Sequence, residues 1–221
     1  MVDIFDEVNE DLRAERAQAL LKRYGGLIIA VALLIVAAAG GWQAWHWWQA
    51  RRDMAAGTAF LAAMTAAQAT GPAQDAASRT AAINAFDQVA ATAPDGYRTL
   101  ARLRAAALKA DSGDIQGAAA LYDQVSSDSA ADPMLRDLAS LLWAQRQLDT
   151  GDPARLEARL KALATPDNPW HALASEDLAL LDLRQGHTDA AKTTLRRLAG
   201  DVTLPQDLRG RASGLLNRLG G

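Results

Sequence analysis

Residues 100–125 read LARLRAAALKADSGDIQGAAALYDQV, two helical runs with a glycine between them. Gly113 in DSGD has counterparts at Gly151 in DTGD and Gly186 in RQGH, spaced 38 and 35 residues apart. Aligned on these glycines, the chain keeps one register. Thirteen residues before each stands leucine (Leu100, Leu138, Leu173), and twelve before stands alanine (Ala101, Ala139, Ala174). Seven before comes alanine again (Ala106, Ala144, Ala179), and nine after comes Tyr122, Leu160 or Leu195. A period in this range signals stacked supersecondary units. Each unit predicts a helix, a tight turn at the glycine and a second helix. Small residues let the two helices approach, and Leu, Tyr and Val fill the space between neighbours.

The punctuation agrees with this pattern. Asp114 and Asp152 stand where helix N-caps are expected, the latter followed by Pro153 in the favoured first helical position. His187 occupies the same turn position and is expected in a cap-region role. Pro94, Pro133 and Pro169 separate the units, and Pro205 opens a final helix, Leu208 to Leu219, expected to close the array. A looser first unit precedes these, with Ala82, Phe86, Val89 and Pro94 in its second helix and residues 71–78 as its connecting loop. One hairpin cannot bury its apolar face alone, so the units must stack. The expected fold class is all-α: a helical-hairpin solenoid over residues 51–221.

Working outward, the chain before the repeats divides in two. No Asp, Glu, Lys or Arg falls between Arg23 and Arg51, leaving 27 uncharged residues, 24 to 50. A helix needs about 20 mostly apolar residues to cross the roughly 30 Å hydrocarbon core of a bilayer. Leu27, Ile28, Ile29, Val31, Leu33, Leu34, Ile35 and Val36 supply the apolar core. At about −0.3 to −0.6 kcal/mol each, these eight favour insertion by roughly 2–5 kcal/mol. Trp42, Trp45, Trp47 and Trp48 sit where an interfacial aromatic belt belongs, with Tyr24 at the other rim. Gly26/Ala30 and Ala37/Gly41 form small-xxx-small pairs that allow close helix contact.

The preceding region is long and holds six acids, unlike the short basic start of a cleaved signal, so an uncleaved anchor is expected. Arg13, Arg16, Lys22 and Arg23 precede the span, against Arg51 and Arg52 after it. That bias predicts a cytoplasmic N-terminus and a C-terminal body on the far side, periplasmic in a bacterium. Residues 1–23 form the head, whose Phe5, Val8 and Leu12 give a partial apolar stripe.

Composition narrows the chemistry. Residues 1–52 carry six acids and six bases, so the net charge of −3 lies entirely in the body and gives no basic footprint for nucleic acid. No cysteine is present, which removes disulfides, thiolate metal sites and lipidated-cysteine anchors. His46, His171 and His187 are scattered without ligand spacing, and no phosphate-binding or nucleophile motif occurs. Neither a cofactor, a small-molecule substrate nor catalysis is expected. Glu176 and Asp177, with Asp182, read as a solvated helix face, and Trp143 and Trp170 as core residues.

Ala82, Phe86 and Pro94 match the Ala-x3-Phe-x7-Pro pattern and resemble the second helix of a tetratricopeptide repeat. Ala118 with Tyr122 and Ala191 with Leu195 look like degenerate copies. The expected Trp, Gly and Tyr of the first helix are absent, making the units tetratricopeptide-like rather than regular. The head, DIFDEVNEDLRAERAQALLKRYG (3–25), followed by one span, resembles the ancillary SecYEG translocon subunit (YfgM-like) family. That resemblance implies a single-pass bacterial inner-membrane protein with a periplasmic repeat domain. Its implied partners are the SecYEG channel, a membrane-anchored periplasmic chaperone of the prolyl-isomerase type, and secreted clients. No catalytic residue comes with that family. The alternative expectation is an envelope scaffold organising cell-wall or outer-membrane assembly complexes.

Overall fold

The computed structural model describes residues 4–68 and 76–220, and for residues 4–21 and 28 the backbone alone. The head stripe, the Ile28 side chain and residues 71–75 of the first connecting loop lie outside what is described. Among the described residues the chain is all α-helix: α1 (Ile4–Gln68), α2 (Ala76–Thr92), α3 (Asp95–Asp111), α4 (Ile115–Ser127), α5 (Pro133–Gln147), α6 (Pro153–Leu163), α7 (His171–Arg184), α8 (Thr188–Gly200) and α9 (Gln206–Arg218). Contacts divide it into two units, Met1–Arg52 and Asp53–Gly221.

In the first unit, α1 exposes the apolar side chains of Leu27, Ile29, Val31, Leu33, Leu34, Ile35 and Val36. Trp42, Trp45, Trp47 and Trp48 are exposed as well. The Arg51 guanidinium lies 4.0 Å from the Trp47 ring centroid and that of Arg52 lies 4.7 Å from Trp48, cation–π geometry. Trp42 meets His46 edge-on at 4.8 Å. The helix is long and apolar enough to cross a membrane.

The second unit is a run of antiparallel hairpins. Its first pairs the end of α1 with α2 around Phe86, Val89 and Ala63, with Phe60 5.7 Å from Phe86 and 6.0 Å from Tyr97. Then follow α3–α4, α5–α6 and α7–α8, with α9 packed on α8 as the closing helix. Alanines at the register positions are fully enclosed: Ala101, Ala106, Ala139, Ala144, Ala174 and Ala179 have no measurable exposure. Tyr122, Leu160 and Leu195, the large residues of the second helices, are equally buried. The leucine column differs. Leu138 and Leu173 are half-buried and Leu100 is 37% exposed, so this column borders the open side of the first helices instead of filling the core.

The turns explain the glycines, in two different ways. Gly113 and Gly186 sit at φ of 89° and 83°, left-handed values that favour glycine. Each closes a double-bonded C-terminal cap: Asp114 N–H donates to Lys109 O and Gly113 N–H to Ala110 O, with His187 to Asp182 and Gly186 to Leu183 as the parallel pair. Gly151 lacks the positive φ. Its N–H donates to Gln147 O at 2.7 Å, and a Cβ there would stand 2.8 Å from the same oxygen. Close approach, not handedness, demands glycine at this turn.

Side chains finish the helix ends. Asp114 accepts from Gly117 N–H, Asp152 from Ala154 N–H, and Asp132 caps α5 with Pro133 next to it. His187 holds the N-cap position of α8 but makes no capping bond; its Nδ1 lies 3.5 Å from Asp182. An imidazole reaching back to α7 cannot also meet the amides ahead of it. Arg184 of α7 donates to Leu148 O and Gly151 O at 2.8 and 2.7 Å, satisfying carbonyls at the end of the preceding hairpin's first helix.

Candidate binding groove

The first helices of successive hairpins present their leucine column on one face, and a groove of about 630 Å3 opens there between α5, α7 and α9. Its apolar wall is Leu173, Leu180 and Leu215. Leu173 and Leu180 are seven residues apart, two helical turns, so one face of α7 supplies both. That volume falls in the range typical of ligand pockets. On Gly214 of α9, an added Cβ would meet nothing within 4 Å, so the groove is open at this point.

The polar part of the groove corrects the expectation from sequence. Glu176 and Asp177 do not form a solvated face; they are 7% and 6% exposed. Only Asp182, further along α7, is half-buried. The register shows why. Ten residues before the turn glycine, α3 has Leu103 and α5 has Leu141, both buried, and α7 has Glu176. One residue later, α5 has Leu142 and α7 has Asp177. Glu176 therefore occupies a position that both other hairpins give to a buried leucine, whereas the position of Asp177 is Leu142 in α5 and Arg104 in α3. Burying a carboxylate is tolerable only with partners. Glu176 receives two hydrogen bonds from Arg211 of α9, Nε to Oε1 at 2.9 Å and an Nη to Oε2 at 2.7 Å, a bidentate pair. Asp177 receives one bond from the Gln145 amide of α5, at 3.0 Å. Burial pushes its carboxyl up to about 7, which the Gln145 bond only partly opposes, and the Glu176 charge adds to the rise.

Tryptophan placement follows from packing. Trp143 is buried, with the Arg159 guanidinium 3.9 Å above its ring and Arg155 at 5.3 Å. Trp170 is half-buried and donates its indole N–H to Met134 O at 3.1 Å, tying the start of α7 to the start of α5. His171 binds Asn168 O and stands apart from His46 and His187. Among the described residues no group of three or more His, Asp or Glu is placed to hold a metal ion.

A family model for the tetratricopeptide repeat-like domain matches residues 18–141, more than half of the chain. The chain belongs to the tetratricopeptide repeat-like domain family. Such domains are typically protein-interaction modules without catalysis, and this one follows a helix apolar enough to span a membrane. The matched residues end inside α5, so α7, α9 and every residue lining the groove lie beyond them. No curated protein and no solved structure shows significant similarity to the chain.

Proposed function

We propose that this is a membrane-anchored, protein-binding accessory factor of the Sec translocon, assisting client proteins together with chaperones outside the cytoplasm. The observation that carries the binding part is the leucine-walled groove on the face of the first helices, in a domain class that binds proteins. The translocon part rests on the resemblance of the head to the ancillary SecYEG subunit family, and the orientation on four basic residues before the span against two after it. The repeat unit begins at Asp53, directly after Arg51 and Arg52.

A photo-crosslinking amino acid at Leu180 or Leu215, activated in native membranes and followed by mass spectrometry, tests this reading. Capture of SecY, of a membrane-anchored prolyl-isomerase chaperone or of secreted polypeptides is expected. Recovery of cell-wall or outer-membrane assembly proteins alone would replace it with the scaffold reading. A C-terminal alkaline-phosphatase fusion should be active; an inactive one reverses the orientation.

A further inference from the structure

One buried acid of the groove lacks a charged partner. Glu176 and Arg211 are matched to each other through both carboxylate oxygens, so that pair is self-contained. Asp177, equally buried, has only a neutral amide on Oδ2, and Oδ1 receives no hydrogen bond from the described residues. A buried carboxyl so placed holds either a proton or a cation. The charged groups lining the groove around it are Glu176 on its own helix and Arg211 and Arg218 on α9; α5 offers only Gln145. Arg218 is exposed on the last turn of α9 and makes no ion pair among the described residues. Arg211 keeps outward N–H groups and Arg218 is hydrated where it stands, so neither needs a ligand anion, and an anion would have to lie beside two buried carboxyls. A positively charged ligand completes the arrangement.

We propose that the groove recognises a lysine or arginine side chain of the partner polypeptide, its aliphatic stem along Leu173, Leu180 and Leu215 and its cation against the Asp177 carboxylate. The stem and head of such a side chain match an apolar wall that ends in an acid. The register sets the acid apart: the equivalent point is Arg104 in α3 and Leu142 in α5, so neither of the other two hairpins has an acid there. This inference rests on the groove being the protein-binding face and not on the identity of the translocon. The raised proton affinity of Asp177 adds a signature, since proton and ligand cation compete for one carboxyl.

The test is fluorescence anisotropy of the full chain in detergent with three labelled ten-residue peptides. They share an Ala/Leu/Ser sequence and carry Lys, norleucine or Glu at the centre. At pH 8 the Lys peptide is expected to bind at least about tenfold tighter than the norleucine peptide, the scale of one charge-assisted contact. Between pH 8 and pH 5 the Lys peptide should weaken by about tenfold, to the level of the norleucine peptide, as the ionised fraction of Asp177 falls, while the norleucine peptide changes little. Asp177→Asn should abolish the Lys preference and leave the norleucine affinity within about twofold. Gly214→Leu, which fills the groove and leaves every charged residue in place, should weaken both. Preference for the Glu peptide, or an unchanged Lys preference in Asp177→Asn, overturns the proposal. If no peptide binds although crosslinking captures translocon partners, this inference fails and the proposed function stands. Lys-specific binding without such capture upholds the inference and removes the translocon from the proposed function.

Discussion

At two adjacent register positions α5 carries Leu141 and Leu142, whereas α7 carries Glu176 and Asp177. The backbones around them are alike: a helix, a glycine turn and an Asp or His at the start of the return helix. The difference lies in what packs next. Leu141 is buried within the main apolar cluster, 1% exposed. Glu176 instead meets α9, a closing helix that brings Arg211 into reach. A repeat position can therefore hold a carboxylate where the following helix supplies a cation. The closing helix does more than end the stack, since it makes a polar floor for the groove possible.

The comparison breaks most severely if charge is moved into the middle hairpin. Leu141→Glu places an acid among leucines without a cation and should destabilise the repeat unit by about 3–5 kcal/mol, read from urea denaturation followed by helical circular dichroism. Arg211→Ala, which strands Glu176, should lose about 1–3 kcal/mol, the smaller figure reflecting an arginine that is 51% exposed. Glu176→Leu combined with Arg211→Leu should restore stability to within about 1 kcal/mol, because the pair is replaced by the residue type of the earlier hairpins.

Asp177→Leu sharpens the comparison through pH. The carboxyl titrates near 7 when folded, against about 3.9 in an unfolded chain. Between these values the native state binds more protons than the unfolded state. Stability is therefore fullest below about pH 4 and is lost as pH rises through 7. The variant should remove that slope and gain on the order of 1–3 kcal/mol at pH 8, seen as a flattened profile of melting temperature against pH. The smallest effect separates the turns. Gly113→Ala should cost about 1 kcal/mol because it forces alanine to a left-handed φ. Gly151→Ala should cost a similar amount for a different reason, a methyl group 2.8 Å from Gln147 O. Crystal structures of the two variants would show strain in the first turn and displacement in the second.

The hairpins and their order are legible in the sequence because their signals are local. Small residues at Ala101 and Ala106, a turn glycine and an aspartate cap all fall within one 26-residue window, 100–125. The acid pair is illegible for the converse reason. Arg211 lies 35 residues from Glu176, and Gln145 lies 32 from Asp177, so no local window contains the partners that make burial tolerable. A pattern read along one helix sees only two charges on a polar-looking face. The repeat register does hold the clue, since the same columns read leucine in α5. His187 shows the limit of positional analogy, as it shares a column with Asp114 and Asp152 but bonds backwards to Asp182. The leucine column through Leu100 reads as filler because leucine favours interiors, yet it borders an open face, where partner surfaces take apolar residues too.

Arg184 has a consequence for how the chain comes together. The carbonyls of Leu148 and Gly151, at the end of one hairpin's first helix, receive donors from an arginine that is synthesised more than 30 residues later. The α5–α6 turn is thus finished by its successor and remains provisional until α7 docks. In a polypeptide that emerges from its N-terminus, this hairpin would be held open for a time and then locked from behind. At this junction the array gains cooperativity in the direction of synthesis, as one tooth of a zip is closed by the next.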